Sequence, residues 1–307
     1  MRGRWITSSL FVALLFAAPA VAEDSGDKKW SLSASIGYQS DDNVTTDEID
    51  NVSNVADTAF VFDAAIAYKL LQGDAIDLEI GYDFSQNFYD AESEFDLRSH
   101  SLSVSADREI AGLDAGLFYI YTRSDLGGSD FLGAHSLTAS LGYSATPIWY
   151  LSASYNAQDK NFVSDDDRDA RVHGVGINNF VFFMDSKAYV SFGYRIEDEN
   201  ADGPQFDYFG HFLHLRVKTP IPIDALARFN PTATVGWAYY NKDYSNVTAS
   251  IGDERKDTRT TLTAGLTMDY NAHLGAKLAY ERIEAISNLA TSDYEEDIIT
   301  FSVKFTY

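Results

Sequence analysis

From Trp30 to the last residue, stretch after stretch of the chain alternates between apolar and polar side chains. In residues 30–40, "WSLSASIGYQS", Trp30, Leu32, Ala34, Ile36 and Tyr38 share one face, and Ser31, Ser33, Ser35, Gly37 and Gln39 share the other. A period of two is the mark of a β-strand with two unlike faces. It recurs in "IDLEIGYDF", where Ile76, Leu78, Ile80, Tyr82 and Phe84 alternate with Asp77, Glu79, Gly81 and Asp83, and again in "TTLTAGLTMDY". No convincing helical period interrupts it after the first 22 residues.

Those first residues form a separate unit. Arg2 and Arg4 precede the apolar run "SLFVALLFAA", and Ala20 and Ala22 supply the small residues of a cleavage site, the order of a secretory leader. The apolar run is shorter than the roughly 20 residues a spanning helix needs. The reading is therefore a cleaved signal peptide over 1–22, a short N-terminal segment over 23–29 and one domain over 30–307. No cysteine occurs, which excludes a lipoprotein anchor, disulfides and thiolate metal sites. Loss of Arg2 and Arg4 with the leader takes the formal charge from −23 to −25, a balance that argues against nucleic acid as a partner.

Turn signals divide the domain into about fourteen strands, with twelve or sixteen also compatible, each near the 9–11 residues of a tilted membrane strand. Polar stretches such as "DDNVTTDEIDNVSNVAD" and "VSDDDRD" follow the odd strands, and mostly short links such as "AG", "TP" and "NA" follow the even ones. Long loops on one side and short turns on the other are the asymmetry of a membrane barrel whose termini share the periplasmic side. In hydrocarbon every backbone N–H and C=O needs a partner, so such a sheet must close on itself. The expected fold is all-β, a closed antiparallel transmembrane β-barrel. Tyrosine and tryptophan, among them Trp30, Tyr82, Tyr119, Trp149, Tyr155, Tyr194 and Trp237, fall near strand ends, as an interfacial girdle requires.

Parity also sorts the charges that face the lumen. Asp63, Asp77, Glu79, Asp83, Asp107 and Asp114 form an expected acidic wall on strands two to five. Arg195, Arg216, Lys218, Lys277 and Lys304 form an expected basic wall on strands nine, ten, thirteen and fourteen. Facing walls of opposite sign would create a transverse field that orients dipolar solutes; the same charges would equally hydrate the lumen or pair into a plug. Fourteen strands at about 4.8 Å, tilted about 40°, give a backbone diameter of roughly 28 Å and a lumen of about 10–15 Å.

The acidic runs "SDDDRD" and "DYEED" offer carboxylates of the kind Ca²⁺ takes, though without strict ligand spacing, so solvated loops are the simpler reading. His100, His135 and His173 lie near extracellular strand ends and face outward. Equal heights on strands two apart are separated by roughly 10 Å, so these three cannot form one hydrolytic constellation. No catalytic residue and no metal site is expected.

Two resemblances add to this reading. The final strand, with Phe301, Val303, Phe305 and Tyr307 on its apolar face, resembles the C-terminal assembly signal of Gram-negative outer-membrane barrels, which implies recognition by the barrel assembly machinery. "IGYQSDDNV" (residues 36–44) looks like the first strand of porin-like barrel families and is similar to the barrel module of surface lipoprotein assembly modifiers. The first likeness implies an outer-membrane channel for passive or facilitated diffusion of small solutes, embedded among lipid and lipopolysaccharide. The second implies export of surface lipoproteins, although only "EDSGDKK" stands where those proteins carry tetratricopeptide repeats. A structural or adhesive barrel with acidic outer loops is the third reading.

Overall fold

Alternation along each strand becomes an inside and an outside once the strands pair. The computed structural model describes residues 28–73 and 75–307; the expected leader, with Ala20 and Ala22, and residues 23–27 lie outside the described residues. Fourteen long strands follow one another: β1 (Trp30–Asp41), β2 (Asp57–Leu71), β3 (Asp77–Tyr89), β4 (Leu97–Ile110), β5 (Leu113–Leu126), β6 (Ser129–Thr146), β7 (Trp149–Phe162), β8 (Ala170–Phe183), β9 (Ala188–Ala201), β10 (Tyr208–Pro220), β11 (Thr232–Thr248), β12 (Asp253–Asp269), β13 (Leu274–Ser287) and β14 (Tyr294–Thr306). Each pairs antiparallel with its chain neighbour, and β14 pairs with β1, so the barrel closes.

At the seam Ile36 lies opposite Val303, Tyr38 opposite Phe301 and Ser35 opposite Lys304. Tyr307 completes the ladder by donating its N–H to the Leu32 carbonyl at 2.8 Å and accepting from the Leu32 N–H at 3.1 Å. The final aromatic is thus a backbone rung of the closure as well as a lipid-facing side chain. Gly37 allows the strands to meet here, since a Cβ at that position would stand 2.9 Å from the Phe301 carbonyl oxygen.

The outward set carries the exposed apolar side chains, including Ile36, Phe60, Leu102, Leu141, Val175, Val235, Ile299 and Phe301. Among the described residues there is no apolar centre of the ordinary kind; the largest fully buried side chains, Ile283, Val44, Asp41 and Ser124, lie at the extracellular end of the lumen. Two further polar stretches that read as long loops, "GGSDFLG" (residues 127–133) and "SNVTASIGDERKD" (residues 245–257), are instead mostly strand. β5 and β6 continue to a tight turn at Gly127 and Gly128, and β11 and β12 rise as a paired ribbon to Thr248 and Asp253. Their polar composition reflects strands standing above the lipid, where both faces meet water. On the periplasmic side, residues 221–231 make the longest link, because a 3₁₀ segment (Asp224–Phe229) and Pro231 delay the start of β11.

Phe301→Arg, on the lipid face near mid-strand, is expected to cost about 2–4 kcal/mol of folding stability in bilayers. Thr300→Arg, one residue away and inward, should cost far less. Equal costs in denaturant titrations would refute the parity assigned to β14.

Candidate functional site

The lumen is where this wall can act, and the first extracellular loop, residues 42–56, occupies its mouth. A two-residue ladder, Thr45–Thr46 with Asn51–Val52, flanks a single 3₁₀ turn, Asp47–Ile49. Asp50 closes the turn in the left-handed region, at φ 55°. Three acids in "DEID" (residues 47–50) make this turn polar, and each meets a partner from the wall or a neighbouring loop.

Asp50 receives two hydrogen bonds from Arg255 on β12, at 2.6 and 3.0 Å. Arg168, from the loop after β7, adds one at 2.7 Å, and the Ser292 hydroxyl donates another at 2.9 Å. Arg168 also donates to the Glu48 carbonyl at 2.9 Å and lies over the Phe206 ring. Asp47 pairs with Arg259 and accepts from the Tyr294 hydroxyl. Thr45 donates to Glu296 at 3.0 Å. Glu48 stands within the electrostatic reach of Lys160 and Lys242. Apolar contacts fix the same loop from two sides: Ile49 packs on Phe131, Leu132 and Phe162 beside Leu97 and Leu126, while Val52 packs on Ile283, Ala285 and Tyr294. The loop therefore meets β6 and β7 on one side and β12 to β14 on the other. It bridges the mouth.

Its two central carboxyls titrate in opposite senses. Burial acts to raise Asp50, but the hydrogen bonds and charges of Arg255 and Arg168 outweigh it and hold the carboxyl well below its ordinary range. Burial pushes Glu48 up, and the charges of Lys160 and Lys242 recover only part of the shift.

Below the loop stand the charges expected from parity. Asp63 accepts from the Ser35 hydroxyl at 2.9 Å, and Asp83 is buried. Asp114 accepts from Tyr150, whose ring also lies near Asp107. Asp77 and Glu79 occupy the periplasmic end of β3, with Glu79 opposite Lys69. Arg195 pairs with Glu197 at 3.2 Å and lies over Phe212 at 4.0 Å; Arg216 acts electrostatically on His214. Lys218 is half-buried on the same face of β10. In the closed order β9 and β10 lie across the barrel from β2 and β3, so Arg195, Arg216 and Lys218 stand on the wall opposite Asp63 and Asp83. Lys277 and Lys304 do not. β13 and β14 adjoin β1, where Lys277 interacts with Asp63 and Lys304 with Asp269. The expected basic wall is split, because closure brings the last strands beside the acidic sector.

The acidic loops are internally engaged. Asp169 accepts the Phe162 N–H, Asp165 pairs with Arg168, Asp293 accepts the Ser287 N–H, and Glu295 and Asp297 pair with Arg282. Among the described residues no group of three or more His, Asp and Glu is arranged to hold a metal. His100, His135 and His173 each hydrogen-bond a tyrosine, as does His211, which the sequence reading missed. The signal for it was present: "SHSL", "AHSL", "VHGV" and "GHFL" recur, each with a tyrosine upstream on the preceding strand.

No family model and no curated protein matches the sequence. Among solved structures, a loop-deleted form of OmpT, an outer membrane protein of Vibrio cholerae, is similar over 91% of this chain and 100% of its own, with a TM-score of 0.52 at 6% identity. This chain has the fold of an outer-membrane β-barrel. Also similar are a bacterial polysaccharide outer membrane secretin (TM-score 0.49, 10% identity, 90% of this chain and 98% of that one) and OprD of Pseudomonas aeruginosa (TM-score 0.45, 10% identity, 91% and 95%). At such identities the likeness concerns the fold alone. The likeness to surface lipoprotein assembly modifiers finds no support among these matches.

Seating of the loop in the barrel should depend on pH. Asp50 contributes stability that is full above the ordinary carboxylate range, about 4, and is lost only as pH falls through its depressed value. Glu48 favours the seated loop below that range, and its contribution is lost as pH rises through its elevated value. Hydrogen-exchange protection of residues 44–55, corrected for intrinsic rates, is expected to peak near pH about 4 and decline toward neutrality. Glu48→Gln should lessen the decline; an unchanged profile in that variant refutes the assignment.

Proposed function

We propose that the protein is a channel for passive or facilitated diffusion of small solutes across the outer membrane, that the first loop forms its constriction, and that it performs no chemistry on what passes. The observation that carries this reading is the crossing of the loop. Ion pairs and hydrogen bonds hold Asp47 and Asp50 against one side of the wall, and Ile49 reaches the other. A loop held across a wide, polar lumen narrows the path without filling it with apolar side chains. Below it, acids on β2 and β3 face Arg195, Arg216 and Lys218, an arrangement that orients solutes carrying both charges or a strong dipole.

Planar-bilayer recordings test the reading. The intact protein should give stable, ion-selective openings, and deletion of residues 44–55 should raise the single-channel conductance by at least about twofold. Arg216→Glu combined with Lys218→Glu should shift selectivity toward cations. A barrel that stays closed with and without the loop refutes the channel. Equal conductance of the two forms refutes the constriction.

A further inference from the structure

We propose that the outer surface of the barrel carries a binding belt for the phosphorylated headgroups of outer-leaflet glycolipid, built from a repeated tyrosine–histidine pair beneath exposed arginines. Four consecutive extracellular hairpins carry the same pair in nearly the same geometry. Tyr82, Tyr119, Tyr155 and Tyr194 stand on ascending strands; His100, His135, His173 and His211 stand on the following descending strands, and each hydroxyl lies 2.8 Å from the histidine Nδ1. The register is shared. Each tyrosine lies opposite Leu102, Leu137, Val175 or Leu213, two residues below its histidine. The β13–β14 hairpin repeats the position with Tyr280 and Asp297.

The repeat is not required by pairing of the sheet, since the β1–β2 and β11–β12 hairpins have Thr58 and Thr260 at the corresponding places. Each bond occupies Nδ1, and Nε2 has no hydrogen-bond partner among the described residues. The imidazole faces outward at the top of the apolar band. On β4, eight residues separate His100 from Arg108 on the same face, roughly 20 Å along the membrane normal, which is most of the apolar height of an outer-membrane barrel.

Arginines sit one rung above. Arg98 and Arg171 precede His100 and His173 by two residues on the same face, and Arg123 lies diagonally above His135, opposite Gly133. Their side chains are 45%, 79% and 57% exposed. Between the β3–β4 and β5–β6 hairpins the two tiers line an open groove of about 490 Å³, with Tyr82, Leu102 and Tyr121 on its membrane side, His100 between, and Arg98 and Arg123 at the rim. Asp125 and Asp130 pair with these two arginines. A guanidinium has five N–H donors and a carboxylate engages at most two, so the pairing orients the fork and leaves donors for a phosphate. Acyl chains against the apolar floor and phosphate against the rim match an amphiphile at this depth. A free anion would gain nothing from the lower tier.

Native mass spectrometry of the purified full barrel tests the belt with diphosphoryl lipid A as the probe. The wild type should retain it about tenfold better than an R98Q/R123Q/R171Q variant and about tenfold better than the dephosphorylated lipid. H100F/H135F/H173F/H211F, which keeps aromatic bulk and removes Nε2, should also weaken retention. Should a combined variant fail to give the compact electrophoretic form of a folded barrel, R171Q alone, at the most exposed position, must still lower retention. Equal retention by folded variants and wild type overturns the proposal, as does equal retention of the dephosphorylated lipid. Displacement by millimolar inorganic phosphate also overturns it, by showing an ion site in place of a lipid site. The belt lies outside the wall, so none of these results depends on solute passage.

Discussion

An unpaired backbone N–H or C=O in hydrocarbon costs several kcal/mol, and a sheet of fourteen strands has two edges unless its ends meet. Everything else in this molecule depends on the meeting of β14 with β1. The seam places Lys304 beside Ser35, sets the inward parity of every strand between, and decides which charges face one another. It also explains the position of Tyr307, whose backbone makes the last rung with Leu32. Closure leaves the interior without the apolar centre of a soluble domain, so its polar residues must be satisfied by one another, by water or by a loop.

The first loop supplies that satisfaction at the extracellular end. Arg255 is almost fully buried, with a side chain 6% exposed, and a buried guanidinium is tolerated only with close anionic partners. Asp50 and Asp257 provide them. The pairing is weak as a source of net stability and strong as a device of position, because removing one partner leaves the other charge buried and unpaired. Ile49 and Val52 then fix the two ends of the turn by packing. A loop held by both kinds of contact has one seated position, which makes it suitable as a fixed constriction.

Much of the wall was legible in the sequence, because a period of two reports both strand and face. The alternating residues 30–40 form β1 almost to its end, and the outward and inward sets follow the same parity in the structure. Boundaries failed where strands leave the membrane: in β6, β11 and β12, polar residues on both faces look like loop although the hydrogen-bond ladder continues. The partition of the lumen was half legible. Parity gave the inward direction of Lys277 and Lys304, but their neighbours depend on closure, a pairing between positions some 270 residues apart. The crossing of the first loop was not legible, since its contacts with Arg168, Arg255 and Phe131 are also long-range. "DEID" carries no local signal that sets it apart from a solvated acidic run. The tyrosine–histidine pairs left a trace in the recurring histidine tetrapeptides, which face analysis of single strands does not compare.

The chain has no cysteine of its own, so engineered bridges can report directly whether the loop spans the mouth. Val52→Cys with Ala285→Cys joins it to β13, and Ile49→Cys with Phe131→Cys joins it to β6. Both bridges should close in the same folded molecule, and the doubly bridged barrel should conduct like the wild type and less than the loop-deleted form. If only one bridge can close at a time, or if the bridged barrel conducts as freely as the loop-deleted one, the loop does not form a constriction across the lumen.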